Sequence, residues 1–240
     1  MSETPRAPGG EERLSLNIIA RIHSEFPGKF GIPRQSGLVN ELHSEIVFEP
    51  AYRQAGCVRG LEGFSHIWLI WGFHQTPAGV WSPTVRPPRL GGNRRQGVFA
   101  SRSPFRPNPL GLSCVELIDI RLCPKLGPVL TVAGGDLADG TPIYDIKPYL
   151  PHLESHPQAK GGFAQENAGR RLQVDLPEEL AASLDTRQQK ALLGLLAQDP
   201  RPAYHQDPLR VYGMDFAGWQ VKFRVRDGRL TVIALEPLED

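Results

Sequence analysis

The sequence predicts a mainly β protein, with an N-terminal β domain (barrel or sandwich) followed by a small α+β domain. Three observations predict it. Six or seven strand-length apolar runs, separated by Gly- and Pro-punctuated loops, fill the chain up to residue 150 with almost no helical period. Gly (25) and Pro (23) are both high for 240 residues, which favours loops and strands over a helical bundle. Beyond residue 170 the pattern changes to two helical segments and three strands.

Residues 1–13 are polar and charged without an apolar core, and read as a disordered leader that is neither secretory signal nor anchor. Residues 16–22 are β-branched and strand-like, and 44–48 form a second strand. The loop between them, 31–37, carries one cation and one amide, Arg34 and Gln35, after Pro33. Residues 64–74 are apolar nearly throughout, as expected of a strand buried on both faces, with His74 and Gln75 at its end. Residues 113–122 alternate, 129–133 repeat that signal, and 143–149 make a short strand after a turn-rich loop.

Residues 14–151 thus form one β domain, 152–170 a linker of Pro, His, Gly, Gln and Ala, and 171–240 the second domain. In the latter, 177–184 and 186–198 read as helices, the second ended by Asp199-Pro200. Strands follow at 209–216, 219–226 and 230–235, the last two joined by Asp227-Gly228 as a tight hairpin.

At 26.5 kDa the chain can bury a full core, and 40% hydrophobic with 22% charged residues is ordinary for a soluble protein. No run approaches the ~18 apolar residues of a membrane span, so no membrane partner is expected. Cys57, Cys114 and Cys123 are odd in number and lack metal spacing, which suits a reducing cytoplasm. His152 and His156 are four apart but flanked by Pro151 and Pro157, which argues against a helix and against a metal site there.

Charge is segregated although the net charge is only +1. Between Gly63 and Val115 stand Arg86, Arg89, Arg94, Arg95, Arg102 and Arg106, with no lysine, aspartate or glutamate. Arginine grips planar anions bidentately and stacks on bases, so this window reads as a surface for phosphate or carboxylate. Pro104, Pro107 and Pro109 stiffen the run that presents Arg102, Arg106 and Asn108. Nucleotide-binding glycine motifs, the metalloprotease helix motif and the serine-hydrolase elbow are all missing, which disfavours a Rossmann-type cofactor site. Three polar loops remain: Pro33-Arg34-Gln35, the arginine window, and Asp136-Leu137-Ala138-Asp139-Gly140. Cations and carboxylates converging on one cleft would suit a ligand that is anionic at one end and ammonium at the other. Asp136 and Asp139 equally suit turns that hydrogen-bond their own backbone.

Four motifs, in order and spacing over roughly residues 14–151, resemble the TsaA-like, TrmO-type tRNA methyltransferase family. They are the runs at 33–38, 64–68, 98–109 and 136–142, and residues 199–204 with the strands after them resemble the family's C-terminal domain. The resemblance implies an antiparallel β-barrel enzyme, working as a cytoplasmic homodimer, that uses S-adenosyl-L-methionine. It implies N6-methylation of threonylcarbamoyladenosine beside the tRNA anticodon, with the anticodon loop as partner and no metal. It carries cofactor contacts to Pro33, Arg34, Gln35, His74, Gln75, Arg102, Leu112, Asp136, Leu137, Ala138, Asp139 and Gly140. Arg86, Arg89, Arg94, Arg95, Arg106 and Asn108 are the residues read as gripping RNA. No general base is assigned. A non-catalytic RNA- or nucleotide-binding β module is the alternative; it needs the arginines but neither the carboxylate loop nor a methyl donor.

Overall fold

The computed structural model describes residues 14–77, 79–87, 94–166, 169, 171–201 and 207–238. The leader expected over 1–13 lies outside them, as does Arg89. In chain order come β1 (Ala20–His23), β2 (His43–Phe48) and β3 (His66–Gly72), the two-residue strands β4 (Thr84–Val85) and β5 (Gln96–Gly97), then β6 (Leu110–Cys123), β7 (Gly127–Ala133) and β8 (Pro142–Pro148). Two single-turn helices follow, α1 (Pro151–Glu154) and α2 (Phe163–Glu166), then β9 (Gln173–Asp175), α3 (Glu178–Ala181), α4 (Thr186–Ala197), β10 (Tyr212–Phe216), β11 (Trp219–Arg226) and β12 (Arg229–Pro237).

Six strands close into an antiparallel barrel in the order β1-β2-β7-β6-β3-β8. Closure rests on a short seam in which Ala20 pairs with Ile143 and Arg21 with Pro142. Every second side chain points inward, as a closed sheet requires. Ile22, Ile46, Ile67, Leu69, Val115, Leu130, Val132 and Ile143 fill the interior, each almost wholly withdrawn from solvent.

The expectation of a strand buried on both faces needs correction. In β3 only Ile67, Leu69 and Trp71 point into the core, while His66, Trp68 and Ile70 lie half-buried on the outer face. That outer face is apolar because other side chains lean on it. The Trp68 ring meets Tyr149 edge-on at 5.9 Å, and its indole N–H donates to Glu154 at 2.8 Å. The same contact explains why residues 151–154 turn helical despite Pro151: Glu154 also accepts from the Leu150 amide at 2.6 Å, closing the turn. The span expected as linker therefore holds two helical turns.

The second core is built by α4 on the sheet β10-β11-β12-β9, in which β9 runs parallel to β12. Asp185 and Gln188 form a reciprocal capping box at the start of α4, and Ala191, Leu192, Leu195 and Leu196 face the sheet. Asp227 (φ 50°) and Gly228 (φ 77°) supply the two left-handed residues of the expected hairpin. This core recruits Phe26, Val39 and Leu42 from the segment joining β1 to β2.

One glycine fixes how the two ends of the arginine window meet. Gly111 pairs with Trp71, and a Cβ on it would lie 2.2 Å from the indole ring. We predict that Gly111→Ala displaces Trp71 and destabilises the fold by about 1–3 kcal/mol, the usual cost of overpacking. Urea unfolding should show a lower midpoint; an unaltered midpoint would mean that the ring moves freely.

Candidate functional site

At one end of the barrel the β1–β2 segment, the end of β3, the proline-rich loop before β6 and the β7–β8 loop enclose a cleft of about 580 Å³. Pro33, Arg34, Gln35, His74, Gln75, Arg102, Leu112, Asp136 and Ala138 all line it, so loops a hundred residues apart in sequence meet there. The walls also include Lys29, Trp71, Phe73, Ser101, Phe105 and Thr141, which sequence reasoning did not single out.

Three other residues of the carboxylate loop do not line the cleft. Leu137 is buried in the barrel core at 2% exposure. The Asp139 carboxylate, exposed, accepts from the Ser24 amide at 3.1 Å and lies 3.4 Å from His23 Nδ1. The carbonyl of Gly140 accepts from Arg21 at 3.0 Å, and its φ of +71° is the left-handed turn the Asp-Gly pair predicts. These contacts pin the loop to β1 and fix where Asp136 points.

Asp136 is the chemically distinctive group. The Trp71 indole N–H donates to Ser113 Oγ at 2.9 Å, and that hydroxyl donates to Asp136 Oδ1 at 2.5 Å. Burial pushes the Asp136 carboxyl above its ordinary value. The Ser113 hydroxyl, the amides of Asp136 and Ser36 and the charge of Arg102 pull it partly back. Ser113 is 1% exposed at an inward position of β6, between Gly111 and Val115. A lone hydroxyl at a core-facing position was the signal that could have found it, since such a group needs a buried partner.

The cations sit across from that carboxylate. Arg102 donates to the Gln35 side-chain oxygen, Gln35 in turn donates to the Arg34 carbonyl, and Lys29 donates to the Gln75 carbonyl. Arg34 itself reaches the Asp199 carbonyl at 3.2 Å. Burial, helped by Arg21 and Lys29, lowers the His74 pKa against the opposing pull of Asp139, so the neutral imidazole faces the cleft.

The residues read as gripping RNA fall into two groups. Arg86, Arg94, Arg95 and Asn108 are exposed and do not line the cleft, Arg95 being steadied by Thr84 Oγ1 at 2.8 Å. Arg106 is half-buried and turned onto its own loop, donating to the Ser101 carbonyl at 2.8 Å, with its guanidinium 5.9 Å from the Phe99 ring centroid. Phe99 (78% exposed) and Trp81 (53%) stand out among these arginines as exposed aromatic faces.

A closed antiparallel barrel with a cleft at its end, where guanidinium groups face a half-buried carboxylate, defines a ligand-binding β-barrel protein rather than a doubly wound nucleotide-binding fold. The chain belongs to the tRNA-methyltransferase O family: the profile of that family's N-terminal domain matches residues 21–155, and the profile of the TrmO C-terminal domain matches 169–238. The chain is 45% identical over 227 residues to a tRNA (adenine(37)-N6)-methyltransferase of Escherichia coli K12, covering 91% of this chain and 96% of the relative. It is 38% identical over 208 residues to a putative S-adenosylmethionine-dependent methyltransferase, RcsF, of Pseudomonas aeruginosa, covering 83% and 87%. A crystal structure of TrmO from P. aeruginosa superposes with a TM-score of 0.78 at 30% identity, over 96% of this chain and all (100%) of that one.

The raised Asp136 pKa has a stability consequence. A carboxyl titrating higher in the folded than the unfolded state favours folding below its unfolded pKa, and loses that contribution as pH rises through the folded value. Asp136→Asn should therefore unfold at a higher temperature than wild type near about pH 8, with the gap narrowing toward about pH 5. Thermal unfolding across that range checks it; a variant less stable at every pH would show that the charge is fully compensated in the fold.

Proposed function

We propose that this protein is an S-adenosyl-L-methionine-dependent tRNA methyltransferase that methylates N6 of the adenine next to the anticodon, in the threonylcarbamoyl form of that base. The observation that carries the reading is the meeting of Arg34, Arg102 and the half-buried Asp136 in one cleft, in a chain of this family. The names of the relatives supply the reaction and the donor.

The donor set fits the cofactor on physical grounds. S-adenosyl-L-methionine carries a carboxylate, an ammonium, a sulfonium and a flat adenine, and the cleft volume is within the ~300–1,000 Å³ of small-molecule sites. Arg34 and Arg102 offer planar cationic forks to carboxylates, while Asp136 offers a partly desolvated anionic oxygen to a cation. Phe73, stacked edge-on against Trp71 at 4.4 Å, together with Leu110 and Leu112 forms the apolar wall that a purine needs. Pro33, Gln35, His74, Gln75 and Ala138 complete the set that would hold the cofactor. When bound, S-adenosyl-L-methionine supplies a methyl group already activated on a positively charged sulfur. The work left to the protein is alignment, and orienting two bound reactants is worth up to ~7–11 kcal/mol of a barrier.

For the substrate, the threonylcarbamoyl group ends in a carboxylate, which is a reason for surplus arginine at the rim. Unstacked anticodon-loop bases can be splayed and stacked on rings such as Phe99 and Trp81. Among the described residues no helix is long and apolar enough to cross a membrane. A cytoplasmic homodimer is the assembly we infer for the enzyme.

The test is mass spectrometry of tRNA nucleosides after incubation with protein and donor. The reading expects an added methyl on threonylcarbamoyladenosine; RNA bound with no methyl transferred would favour a non-catalytic RNA-binding module. In the same assay Arg102→Ala should lose methyl transfer by at least about tenfold while keeping its melting temperature, because a charge-assisted Arg–anion hydrogen bond covered by the bound ligand costs about 1.5–3 kcal/mol to remove. Turnover at the wild-type rate would remove Arg102 from the site.

RNA binding should weaken steeply with salt, each phosphate contact adding somewhat under about one unit to the log–log slope. Arg94→Ala combined with Arg95→Ala is expected to flatten that slope by more than about one unit. An unchanged slope would mean that this pair faces something other than the RNA backbone.

A further inference from the structure

The segment joining β1 to β2, residues 24–42, belongs to two sites at once. Its ends are packed into the C-terminal core, where Phe26, Val39 and Leu42 are almost wholly buried. Its middle, Pro33 to Gln35, lines the cleft. The fit to the C-terminal unit is close at two glycines. A Cβ on Gly31 (φ +94°) would lie 2.5 Å from the Met214 methyl, and one on Gly194 of α4 would lie 2.9 Å from Val39. At both points backbone of one unit lies directly against a side chain of the other.

The link to the cleft is a short chain of polar contacts. Arg34 Nη2 donates to the backbone carbonyl of Asp199 at 3.2 Å, across 165 residues of sequence. Asp199 sits just past the end of α4 with φ of +53°, a conformation unusual for a residue with a side chain. Arg201 holds it there with a two-pronged grip: Nε to Oδ1 at 2.8 Å and Nη2 to Oδ2 at 2.9 Å. The Arg201 side chain is only 18% exposed, so this pair is better shielded than a surface ion pair.

We propose that Asp199 and Arg201 are positioning residues for Arg34, so that the C-terminal unit is part of the cofactor-binding apparatus although neither residue lines the cleft. The proposal rests on the reading of the cleft as the S-adenosyl-L-methionine site. An arginine on a loop has many rotamers, and its grip on an anion is strong only where something else holds it. Asp199 supplies that anchor through its carbonyl, and the bidentate pair keeps the carbonyl aimed. Arg34 therefore meets its ligand preorganised, and a change in the C-terminal unit is felt in the cleft.

Calorimetric titration with S-adenosyl-L-methionine tests this on the full chain and on Arg34→Ala, Arg201→Lys and the double variant. Arg201→Lys keeps the charge but cannot span both carboxylate oxygens. It should weaken binding roughly three- to tenfold, and Arg34→Ala roughly tenfold or more. Because Arg201 acts through Arg34, the double variant should bind as Arg34→Ala alone does, a non-additivity that a merely structural role would not produce. Asp199→Gly gives a second lever, since glycine accepts φ > 0 and keeps the carbonyl while releasing Arg201. It should match Arg201→Lys in affinity at a wild-type melting temperature. Additive losses, or wild-type affinity in Arg201→Lys and Asp199→Gly, would overturn the coupling while leaving the cofactor reading intact. Absence of binding by the wild-type protein would overturn both.

Discussion

The hydrogen-bonded chain from Trp71 through Ser113 to Asp136 is the constraint on which the cleft depends. A carboxylate in a barrel end costs free energy unless donors surround it, and here the Ser113 hydroxyl donates to Asp136 while itself accepting from Trp71. Trp71 brings β3, Ser113 brings β6 and Asp136 brings the β7–β8 loop. Fixing that one oxygen therefore fixes three elements relative to one another. Gly111 is part of the same arrangement, because only a residue without Cβ lets the indole lie across β6. The residual desolvation, seen in the raised Asp136 pKa, leaves an oxygen that gains from a cationic ligand.

A second feature follows from how the chain crosses between its cores. The residues after β1 leave the barrel, pack against α4 and β10, and return to β2. The Glu25–Arg187 pair, at 2.6 Å with a second bond from the same guanidinium to the Glu41 carbonyl at 3.1 Å, clamps both ends of the excursion to α4. A loop so anchored enters the cleft as a rigid edge. This is how a small α+β unit, with no sheet of its own next to the cleft, comes to shape it.

Much of this was legible in the sequence, for identifiable physical reasons. Strands whose inward residues alternate could be read directly, and the helix Thr186–Ala197 was legible with its stop at Asp199-Pro200. The arginine window, the amide loop and the carboxylate loop were visible because charge and Pro/Gly punctuation are local properties. What could not be read was which outward or inward role a polar residue takes. Ser113 looks like any strand serine until β3 and the β7–β8 loop are brought beside it. Asp139 and Asp136 look equivalent in sequence, yet one caps Ser24 and the other faces the cleft. The span 24–42 carries no periodic signal, so its allegiance to a core formed some 150 residues later lay beyond any local pattern. β9 was missed because three residues in a parallel pair with β12 are too few to alternate.

Asp136 stands in the cleft as a partly desolvated carboxylate, placed to meet a cationic ligand. Carbon-13 NMR titration of the Asp136 carboxyl, in the free protein and with saturating S-adenosyl-L-methionine, tests it most directly. The titration midpoint should lie above the ordinary aspartate value of about 3.9 in the free protein and move down when the cofactor is present. A midpoint at or below the ordinary value in the free protein, or one that the cofactor leaves unmoved, would contradict it.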